Sequence, residues 1–445
     1  SLLKEGCWNG EIWNKRANGE IYPEAVSISV IRDDNNNIDH HFAVFSDITE
    51  KKQAAEMLFE QAYKDTLTGL PNRRMCMQRL EQCIQISKRS HLTFAVLYID
   101  LDHFKEVNDS LGHNKGDQLL IEATARIKSQ VRSTDTLCRL GGDEFTVIIS
   151  EINESHVVER VAQHIIAAIK EPFTLDTDKI YISCSIGITL YPEDATTITA
   201  LLKNADQAMY MAKRTGRDGF RYFTPVMQCD FEYRQRIKNE LHSALANNEF
   251  EVYYQPLVNF STGGIEKAEA LLRWFHPTRG MIPPTEFIPI AEESGLIIEI
   301  GTWVYQEVCR QLAAWKQAGL RDIKVCVNNS PAQFRSDKKL TKLIIELLAE
   351  YQLSGESIIV EITEGLLMHS EEHVHEQLLE LRNLGIEVAL DDFGTGYSSL
   401  SYLKQFDIDY IKIDQSFVQN LKPNSQDVAL CEAMTAMAHK LDIMV

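Results

Sequence analysis

From residue 233 to its end, the sequence repeats one pattern: a short apolar run, then a loop or a helical stretch. The runs are EVYYQP, GGIEKAEALLRW, DIKVCVN, SIIVEIT, GIEVALDD and DYIKID. Serial strand–helix units of this kind favour parallel strands that close into a barrel. The runs predict six strands, and LDIMV at the end looks like the start of a seventh. We therefore expect an incomplete (β/α) barrel.

Polar side chains repeatedly end these apolar runs. The residues are Glu269, Asn328, Glu361, Asp391, Asp392 and Lys412. The C-terminal strand ends of a barrel meet at one mouth, where gathered carboxylates repel one another unless cations lie between them. A one- or two-metal phosphodiester site is therefore predicted. Each acid could instead cap the following helix, an explanation that is favoured for one position but not for five.

A second block, from about Asp65 to Phe223, mixes strands and helices. The apolar runs FAVLYID, FTVIIS and YISCSIGITL predict strands. Helical stretches are expected around Arg73–Lys88, Gly116–Val131, Val157–Lys170 and Thr199–Arg214. In RLGGDEF, Gly141-Gly142 supplies the positive φ that a two-residue hairpin turn requires. We expect an α/β sandwich with helices packed over a mixed sheet.

Carboxylates stand on both sides of this hairpin. Asp100 ends FAVLYID with Asp102 two residues on, and Asp143 and Glu144 occupy the hairpin tip. If the two elements are neighbours in one sheet, these acids gather at one edge and offer the hard oxygen ligands that Mg²⁺ prefers. Taken singly, each pair is as well explained by a solvated loop.

Other polar residues of this block suit a guanine nucleotide. Asn108 and Asp117 supply an amide and a carboxylate, which match the donor and acceptor edge of guanine. Lys213 and Arg217 stand at the end of a helical stretch, where they could offset phosphate charge. Each signal alone is weak, because an Asn-Asp pair is usually a turn and a basic helix end is usually solvated.

Composition limits the partners and the compartment. A net charge of -19 argues against a nucleic-acid polymer as partner. Nine scattered cysteines without a C-x-x-C pair fit a reducing compartment. No apolar run is long enough for a membrane span, and no signal peptide opens the sequence. We expect a cytoplasmic protein, held at the cytoplasmic face of the membrane if an anchor lies upstream.

Residues 1 to about 50 alternate as strands do. EAVSISVIRD and HHFAVFSDIT flank a turn-like DDNNN. Asp47 and Glu50 resemble a capping box before a polar helical stretch through Ala62. The pattern G-x-W-N-G-E-I-W-N-K-R-A-N-G-E, ending in FSDITEKK, resembles the C-terminal half of a PAS sensor domain. This resemblance implies a partial β-meander followed by a helical spacer.

The second block as a whole resembles a known enzyme family. DTLTGLPNRR, DLDHFKEVND, GHNKGD, RLGGDEF and MYMAKRTGR are similar to the motifs of the GGDEF diguanylate cyclases, which have a palm-like α/β sandwich. The resemblance implies that Asp100 and Asp143 bind Mg²⁺ or Mn²⁺, and that Glu144 supports the metal or activates the 3′-hydroxyl. It assigns guanine to Asn108 and Asp117, and phosphates to Lys105, Lys213 and Arg217. Each domain would hold one GTP, so synthesis demands a homodimer, formed through this domain and the linker helix.

Arg132 and Asp135 form an R-x-x-D pattern, with five residues between Asp135 and Gly141. A salt bridge near a helix end is the ordinary explanation of such a pair. At this spacing it matches the inhibitory product site of the family, where the arginine clamps guanine and phosphate of cyclic di-GMP. We favour the product site.

The third block also resembles an enzyme family. YYQPLV, EALLRWFHP, FIPIAEESGLI, VEITEG, DDFGTGYSSL and IKIDQSF are similar to the motifs of the EAL phosphodiesterases, which open cyclic di-GMP to linear pGpG. The resemblance implies that Lys412 lies beside the attacking water and that Arg273 contacts a substrate phosphate. Glu364 matches the residue that steadies the DDFGTG loop, whose glycines let it flex. The metal ligands it implies are Glu269, Asn328, Glu361, Asp391 and Asp392.

Two features depart from the EAL pattern. Asn329 stands where the family usually has an apolar residue. The sequence also ends before the A-E-G-V-E segment, whose Glu joins the active site, and before the last strand and helices. We therefore expect inefficient hydrolysis by the chain as it stands, and hydrolysis by the complete protein.

The sequence thus predicts a multidomain protein with α/β and α+β parts. Residues 1–50 are expected to be the C-terminal part of a PAS domain, 51–64 a helical linker, 65–224 a GGDEF domain and 233–445 an EAL domain shortened at its C-terminus. The expected function is cyclic di-GMP synthesis from two GTP and its hydrolysis to pGpG. The alternative is a signalling module in which one or both domains only bind GTP or cyclic di-GMP.

Overall fold

The chain forms two compact units, Ser1–Phe231 and Glu232–Val445. A computed structural model describes residues 7–32, 38–152, 156–320, 323–335, 340–368, 372–394, 403, 406–419, 421–422 and 425–445. Within these ranges, no helix is both long and apolar enough to cross a bilayer. Each unit has its own β-sheets, and none of the sheets formed by the described residues contains strands from both units.

The first unit begins with an antiparallel meander that leads into a helix. The elements are β1 (Cys7–Lys15), β2 (Ile21–Arg32), β3 (Ile38–Asp47) and α1 (Thr49–Tyr63). The two strands predicted here are present, and the DDNNN segment lies outside the described residues. The predicted capping box of Asp47 and Glu50 is wrong: Ile48 is the N-cap, and the Asp47 carboxylate accepts hydrogen bonds from the amide and hydroxyl of Thr49.

The rest of the first unit is built on a five-stranded mixed sheet. Its strands are β4 (Thr93–Leu101), β5 (Thr136–Gly141), β6 (Glu144–Ile152), β9 (Cys184–Tyr191) and β10 (Gly219–Tyr222), and β7 (Phe173–Leu175) pairs separately with β8 (Asp178–Ile180). The helices are α2 (Arg73–Ser90), α3 (Phe104–Leu111), α4 (His113–Gln130), α5 (His156–Lys170) and α6 (Ile198–Arg214). The strand order is β10-β9-β4-β6-β5, in which β9 and β10 are parallel and the other neighbours antiparallel. The predicted mixed sheet is confirmed, whereas α3 was not predicted.

Strand β4 is central to this sheet and buried on both faces. Because side chains alternate along a strand, Leu97 and Ile99 pack into a core shared with α3, α4 and α5, while Val96 and Tyr98 pack towards α2 and α6. Helix α6 approaches the sheet closely at Gly187 of β9, where a Cβ atom would lie 1.9 Å from a carbonyl oxygen of the helix. This close approach brings the basic end of α6 to the carboxyl end of β4.

The second unit contains one large sheet surrounded by helices. Its strands are β11 (Phe250–Val258), β12 (Ile265–His276), β13 (Gly280–Ile282), β14 (Lys324–Asn328), β15 (Ile358–Thr363), β16 (Glu387–Phe393) and β17 (Tyr410–Ile413). Helix α7 (Pro225–Ala244) leads into the unit. The other helices are α8 (Pro284–Ser294), α9 (Ile297–Gln317), α10 (Pro331–Phe334), α11 (Leu340–Glu350), α12 (Glu364–Met368), α13 (Glu372–Asn383), α14 (Gln415–Val418) and α15 (Gln426–Lys440), with a 3₁₀ turn at Gly355–Ser357.

The sheet has the order β11-β12-β14-β15-β16-β17, and β12 to β17 run parallel along this path. The expectation of parallel strands from the first run onwards is wrong, because β11 and β12 are antiparallel. Residues 259–264 between them are too few for the crossover that a parallel pair requires. Where a seventh strand was predicted, Met444 forms a single parallel bridge with Tyr410. No pairing closes the described strands into a ring.

Two candidate active sites

Strand pairing in the first unit brings the acids of FAVLYID and RLGGDEF together. Asp100 in β4 lies directly opposite Glu144 in β6. Gly141 pairs with Glu144, so the turn residues are Gly142 and Asp143 rather than the predicted Gly141-Gly142. Both glycines nevertheless have positive φ, 150° and 52°. Asp143 therefore stands at the tip of the hairpin, next to the sheet edge that carries the other two acids.

A buried arginine supports this turn. Arg139 in β5 is 9% exposed, and its Nε and Nη2 donate to the Gly142 carbonyl oxygen at 2.9 and 2.7 Å. Its Nη1 donates to Asp65 Oδ1 at 2.9 Å, across 74 residues of sequence. Although burial opposes the charge, hydrogen bonds from Thr68 and Arg139 hold the pKa of Asp65 below its ordinary value. The Asp65–Arg139 pair thus connects the segment after α1 to the turn that carries Asp143.

Asp100 is paired with the lysine that the sequence assigned to phosphate. Lys213, in the last turn of α6, places Nζ 2.7 Å from Asp100 Oδ1. Burial raises the pKa of Asp100 to about 6, against the effect of Lys213 and with the help of the nearby Asp143 charge. A carboxylate in this environment gains from a further cation, because burial and a neighbouring anion both penalise its charge.

Glu144 and Asp102 have different hydrogen-bond partners. Glu144 Oε2 accepts from the Tyr98 hydroxyl at 2.9 Å. Burial and this hydrogen bond raise the pKa of Tyr98, so its hydroxyl remains a donor. Asp102, 1% exposed, accepts from the hydroxyls of Ser183 and Ser185 at 2.6 and 2.8 Å. Asp102 therefore binds residues at and just before the start of β9, while its charge still contributes to the raised pKa of Asp100.

The residues assigned to guanine meet where α3 and α4 join. Asn108 lies in α3, and its Oδ1 is buried without a hydrogen-bond partner. It lies against Gly116 of α4, where a Cβ would be 1.9 Å away, and the next residue is the exposed Asp117. A buried acceptor without a donor is suited to an N–H group of a ligand. The two phosphate candidates nearby are exposed: Lys105 on α3, and Arg217 after α6 with φ 57°.

The R-x-x-D pair lies between α4 and β5. Asp135 Oδ2 accepts from the Arg132 backbone amide at 3.1 Å, and its Oδ1 accepts from the Ser150 amide at 3.4 Å. The carboxylate therefore fixes a turn, and the structure shows no ion pair between it and the exposed Arg132 guanidinium. The ordinary salt bridge considered for this pair is absent from these described residues.

In the second unit, the parallel register gathers the predicted polar residues. Asn328 pairs with Glu361, and Glu269 is one strand away, opposite Cys326. Asn328 Nδ2 donates to Glu269 Oε1 at 2.8 Å. Glu269 was expected to close its strand, but β12 continues to His276 because it also pairs with β13. It is nevertheless near the end of the parallel part of β12, which places it beside Asn328.

Lys412 lies among three of the predicted metal ligands. Its Nζ is 3.0 Å from Glu361 Oε2, 3.1 Å from Glu269 Oε2 and 3.2 Å from Asp391 Oδ1. Burial opposes its charge, but these carboxylates raise the pKa of Lys412 overall. Glu361 is 1% exposed, and burial raises its pKa to about 7 despite the lysine. One ammonium group therefore neutralises a cluster of acids that would otherwise repel one another.

A β-bulge separates the two aspartates of β16. The register to β17 shifts between Leu390 and Phe393, and Asp392 has a φ of 54°. Bulges redirect side chains at functional edges, and here Asp391 contacts Lys412 while Asp392 is exposed. Although the side chain is exposed, partial burial of its carboxyl and the charges of Asp391 and Asp414 raise the pKa of Asp392. Sequence alone did not separate these two residues.

The other predicted residues of this unit lie on neighbouring elements. Glu364, 8% exposed, begins α12 directly after β15. The DDFGTG loop that it is expected to steady lies outside the described residues beyond Gly394. Arg273 is half-buried in β12, where its Nη1 donates to the Leu272 carbonyl oxygen at 2.9 Å. Asn329, the departure from the family pattern, is buried and its Oδ1 accepts from the Tyr305 hydroxyl at 3.0 Å.

The donor sets fit a divalent cation only after rearrangement. Across the described ranges, no group of three or more His, Cys, Asp or Glu side chains is arranged to hold a metal ion as it stands. In the second unit Lys412 occupies the space between the acids, yet Glu361 Oε1 is buried and lacks a hydrogen-bond partner. Carboxylate and amide oxygens are the ligands that Mg²⁺ takes. The residues therefore suit Mg²⁺ if the lysine withdraws.

Glu361 and Lys412 also line an open cavity of about 590 Å³. Its other walls include Cys326 of β14, Ile359 of β15 and Tyr410 of β17. This volume is within the range of small-ligand sites. The acid cluster is therefore reachable from this cavity.

Comparison with known proteins assigns a different family to each of the two units. The family of the diguanylate cyclase GGDEF domain matches residues 62–219, and the EAL domain family matches residues 238–445. The bifunctional diguanylate cyclase/cyclic di-GMP phosphodiesterase MucR of Pseudomonas aeruginosa is 40% identical over 397 residues, 89% of this chain and 58% of that protein. The chain belongs to the GGDEF–EAL family. The PAS resemblance of the first block remains a prediction.

Two further comparisons extend this assignment. The cyclic di-GMP phosphodiesterase PdeR of Escherichia coli is 40% identical to this GGDEF–EAL chain over 401 residues, 90% of this chain and 60% of that protein. The structure of Vibrio cholerae LapD S helix-GGDEF-EAL, bound to c-di-GMP, covers 88% of this chain and 92% of its own, with a TM-score of 0.56 and 21% identity. At that identity it supports the fold alone. This chain spans 58% of the length of MucR and 60% of the length of PdeR.

Proposed function

We propose that this GGDEF–EAL protein turns over cyclic di-GMP, synthesising it in the first unit and opening it to linear pGpG in the second. The observation that carries the proposal is the pairing of Asp100 with Glu144 beside the Gly142–Asp143 turn. Phosphoryl transfer needs alignment and charge neutralisation more than covalent help. MucR and PdeR, whose names state these activities, support the same assignment.

In synthesis, the 3′-hydroxyl oxygen of each GTP attacks the α-phosphorus of the other, so that two new phosphodiester bonds form and two pyrophosphates leave. Asp100 and Asp143 would hold Mg²⁺ or Mn²⁺, which supplies charge neutralisation at the phosphates. Glu144 takes the hydroxyl proton. The side chains that bind GTP are Asn108 and Asp117 at guanine and Lys105, Lys213 and Arg217 at the phosphates. Because the first unit of each chain binds one GTP, the reaction takes place in a homodimer.

In hydrolysis, water attacks one phosphorus of cyclic di-GMP and one 3′-oxygen bond breaks. The residues that would hold the metal are Glu269, Asn328, Glu361, Asp391 and Asp392, and the metal lowers the pKa of bound water. Lys412 orients that water and donates to developing negative charge, while Arg273 contacts a substrate phosphate. Glu364 positions the DDFGTG loop. The half-buried position of this cluster makes each charge contact stronger than it would be in water.

We further propose that Arg132 and Asp135 form a product site that limits synthesis. Because Asp135 already binds two backbone amides, the Arg132 guanidinium is left to bind guanine or phosphate. Arg132→Ala should raise the plateau of cyclic di-GMP without changing the initial rate. Lys128→Ala, in the last turn of the helix that precedes Arg132, is the control. An unchanged plateau for Arg132→Ala would exclude a product site here.

The first test incubates the purified chain with GTP and Mg²⁺ and separates the nucleotides over time. Cyclic di-GMP should accumulate, and pGpG should follow slowly, because inefficient hydrolysis is expected of the chain as it stands. The double variant Asp143→Ala/Glu144→Ala should make neither from GTP while keeping its circular dichroism spectrum and its hydrolysis of added cyclic di-GMP. Glu81→Ala, an exposed acid of α2, is the matched control. Synthesis by the double variant would refute the assignment of the hairpin.

A second test follows hydrolysis of added cyclic di-GMP. Glu361→Gln should abolish pGpG release. Glu387 begins β16 and pairs with Lys324, outside the acid cluster, so Glu387→Gln should leave pGpG release unchanged. An equal loss of pGpG release in both variants would mean that the loss is not specific to the acid cluster around Lys412. If the wild-type chain binds GTP or cyclic di-GMP and converts neither, the protein is the binding module considered as the alternative.

A further inference from the structure

We infer that Tyr98 is a positioning residue for Glu144 in cyclic di-GMP synthesis, an inference that rests on the function proposed above. Tyr98 was not singled out by its sequence, because it stands inside the apolar run FAVLYID. In the structure it is 6% exposed, and its hydroxyl contacts the Glu144 carboxylate at the hairpin. Buried tyrosines usually give their hydroxyl a partner, and here the partner is the proposed proton acceptor.

Sheet register explains this contact. Asp100 lies directly opposite Glu144, and Tyr98 lies opposite Thr146, so Tyr98 and Glu144 are diagonal neighbours on one face of the sheet. Diagonal neighbours are about 7–8 Å apart at their backbones, a distance that two long side chains can bridge. Their measured contact is 2.9 Å, from the Tyr98 oxygen to Glu144 Oε2. The strand that supplies Asp100 therefore also orients Glu144.

The charges around Glu144 make this hydrogen bond important. Asp143 is its neighbour in sequence and Asp100 its partner across the strands, so Glu144 is close to two other acids. Lys213 contacts Asp100 rather than Glu144. Among the described contacts, Glu144 accepts its hydrogen bond from the Tyr98 hydroxyl. Hydrogen bonds to a charged acceptor are stronger than neutral ones and fix its direction. Without this one, the carboxylate is free to turn away from its neighbours.

The consequence for the reaction concerns the two carboxylate oxygens. With Oε2 occupied by Tyr98, Oε1 is the atom that takes the proton of the attacking 3′-hydroxyl. The hydroxyl of Tyr98 keeps its own proton throughout and touches no substrate atom. Its loss should therefore slow the chemical step while leaving the binding of GTP to the guanine and phosphate contacts unchanged.

The test compares two tyrosines that contribute to the same core. Tyr98→Phe removes the hydroxyl that binds Glu144. Tyr191→Phe removes a hydroxyl in β9 that makes no hydrogen bond within the described residues, and this ring stacks on Phe94. We expect kcat for cyclic di-GMP formation to fall about 10- to 100-fold in Tyr98→Phe, with KM for GTP within about two-fold. Tyr191→Phe should leave both constants within about two-fold of the wild type.

A second substitution breaks the same hydrogen bond from its other side. The shorter side chain of Glu144→Asp does not reach Tyr98, so this variant should also lose kcat. Adding Tyr98→Phe to it should change kcat by less than about two-fold, since the coupling is already lost. Independent losses that multiply would overturn the inference, as would full kcat in Tyr98→Phe. A wild-type chain that makes no cyclic di-GMP would instead contradict the proposed function, and the inference with it.

Discussion

The two acid clusters of this protein use one lysine each, in opposite ways. In the first unit, Lys213 contacts a single carboxylate, Asp100, and the rest of the hairpin site carries no lysine contact among the described residues. In the second unit, Lys412 contacts three carboxylates at once. The first cluster comes from two antiparallel neighbours and the turn between β5 and β6, whereas the second is assembled from four strands of a parallel sheet.

The difference shows how a fold tolerates acids before any cation binds. The hairpin tip lies at an edge, where water can screen Asp143 and Glu144. Glu361 is 1% exposed, so it depends on an internal cation. We expect the second cluster to depend on its lysine for stability, and the first to depend on its supports for geometry.

The largest effect should come from Lys412→Met. Removing the ammonium leaves three facing carboxylates, one of them buried, and should destabilise the second unit by about 3–5 kcal/mol. Burial raises the pKa of Glu361 to about 7 even with the lysine present, and removing the lysine should raise it further. The loss should therefore be largest at alkaline pH and should shrink as the pH falls towards 7, because the protonated acid no longer repels its neighbours. Trp274, Trp303 and Trp315 lie in this unit, so thermal unfolding can be followed by tryptophan fluorescence.

The control for that experiment is Lys324→Met. Lys324 pairs with Glu387 at 2.9 Å in the same sheet, but both side chains are partly exposed. The loss there should be below about 1 kcal/mol. Added Mg²⁺ should stabilise Lys412→Met more than Lys324→Met, because a bound cation replaces the lost charge. Equal losses of stability in Lys412→Met and Lys324→Met would mean that the second cluster depends on its lysine no more than a partly exposed ion pair does.

The next effect should come from Arg139→Lys in the first unit. A lysine keeps the charge beside Asp65 but lacks the fork that binds the Gly142 carbonyl oxygen twice. We expect a loss of about 1.5–3 kcal/mol of stability and at least about 10-fold in synthesis, with hydrolysis of added cyclic di-GMP unchanged. Hydrogen exchange of the β5 and β6 amides would report the loosened turn.

Arg214→Lys, in an exposed pair with Asp230, provides the comparison for Arg139. It should alter stability by less than about 1 kcal/mol. Retained synthesis in Arg139→Lys would mean that the turn holds its geometry without the guanidinium, and that the first cluster needs no such support.

A smaller loss of stability is expected for Lys213→Met. Lys213 faces one carboxylate, whereas three face Lys412, and Asp100 can take up a proton when its lysine is removed because burial already raises its pKa to about 6. The cost at pH 7 should therefore be about 1–2 kcal/mol, below that of Lys412→Met. Synthesis should fall strongly, since the variant also lacks a phosphate contact. Circular dichroism of the full chain and the rate of cyclic di-GMP formation measure the two effects, with Arg214→Met on the same helix as control. A stability loss as large as that of Lys412→Met would show that edge position does not protect the first cluster.

The smallest effect should come from a pair that supports the second cluster from outside. Asn329→Leu leaves the buried Tyr305 hydroxyl without its acceptor and should cost about 1 kcal/mol. The double variant Asn329→Leu/Tyr305→Phe removes both partners and should recover most of that loss. Urea unfolding followed by tryptophan fluorescence measures the cycle. Additive losses would mean that the two side chains are not coupled.

The sequence by itself determined the elements and the chemistry that they offer. Apolar runs such as FAVLYID and SIIVEIT predicted β4 and β15, because burial on both faces selects continuous apolar residues. The carboxylates at the ends of these runs could be recognised for the same reason: a polar residue in such a context needs an explanation. Asp100, Glu144, Glu269 and Glu361 were accordingly predicted. Strand pairing brings Asp100 to Glu144 in the first unit, and brings Glu269 near Glu361 in the second.

Only the tertiary structure decided which of these side chains touch. Lys412 and Glu269 are 143 residues apart, Arg139 and Asp65 are 74 apart, and Tyr98 and Glu144 are 46 apart. No periodicity or local propensity carries such pairings, because they depend on strand order and register across the sheet. The antiparallel start of the second sheet, the bulge at Asp392 and the Gly142–Asp143 turn were missed for the same reason. Local sequence specifies which groups are available, and long-range pairing specifies which of them share a site.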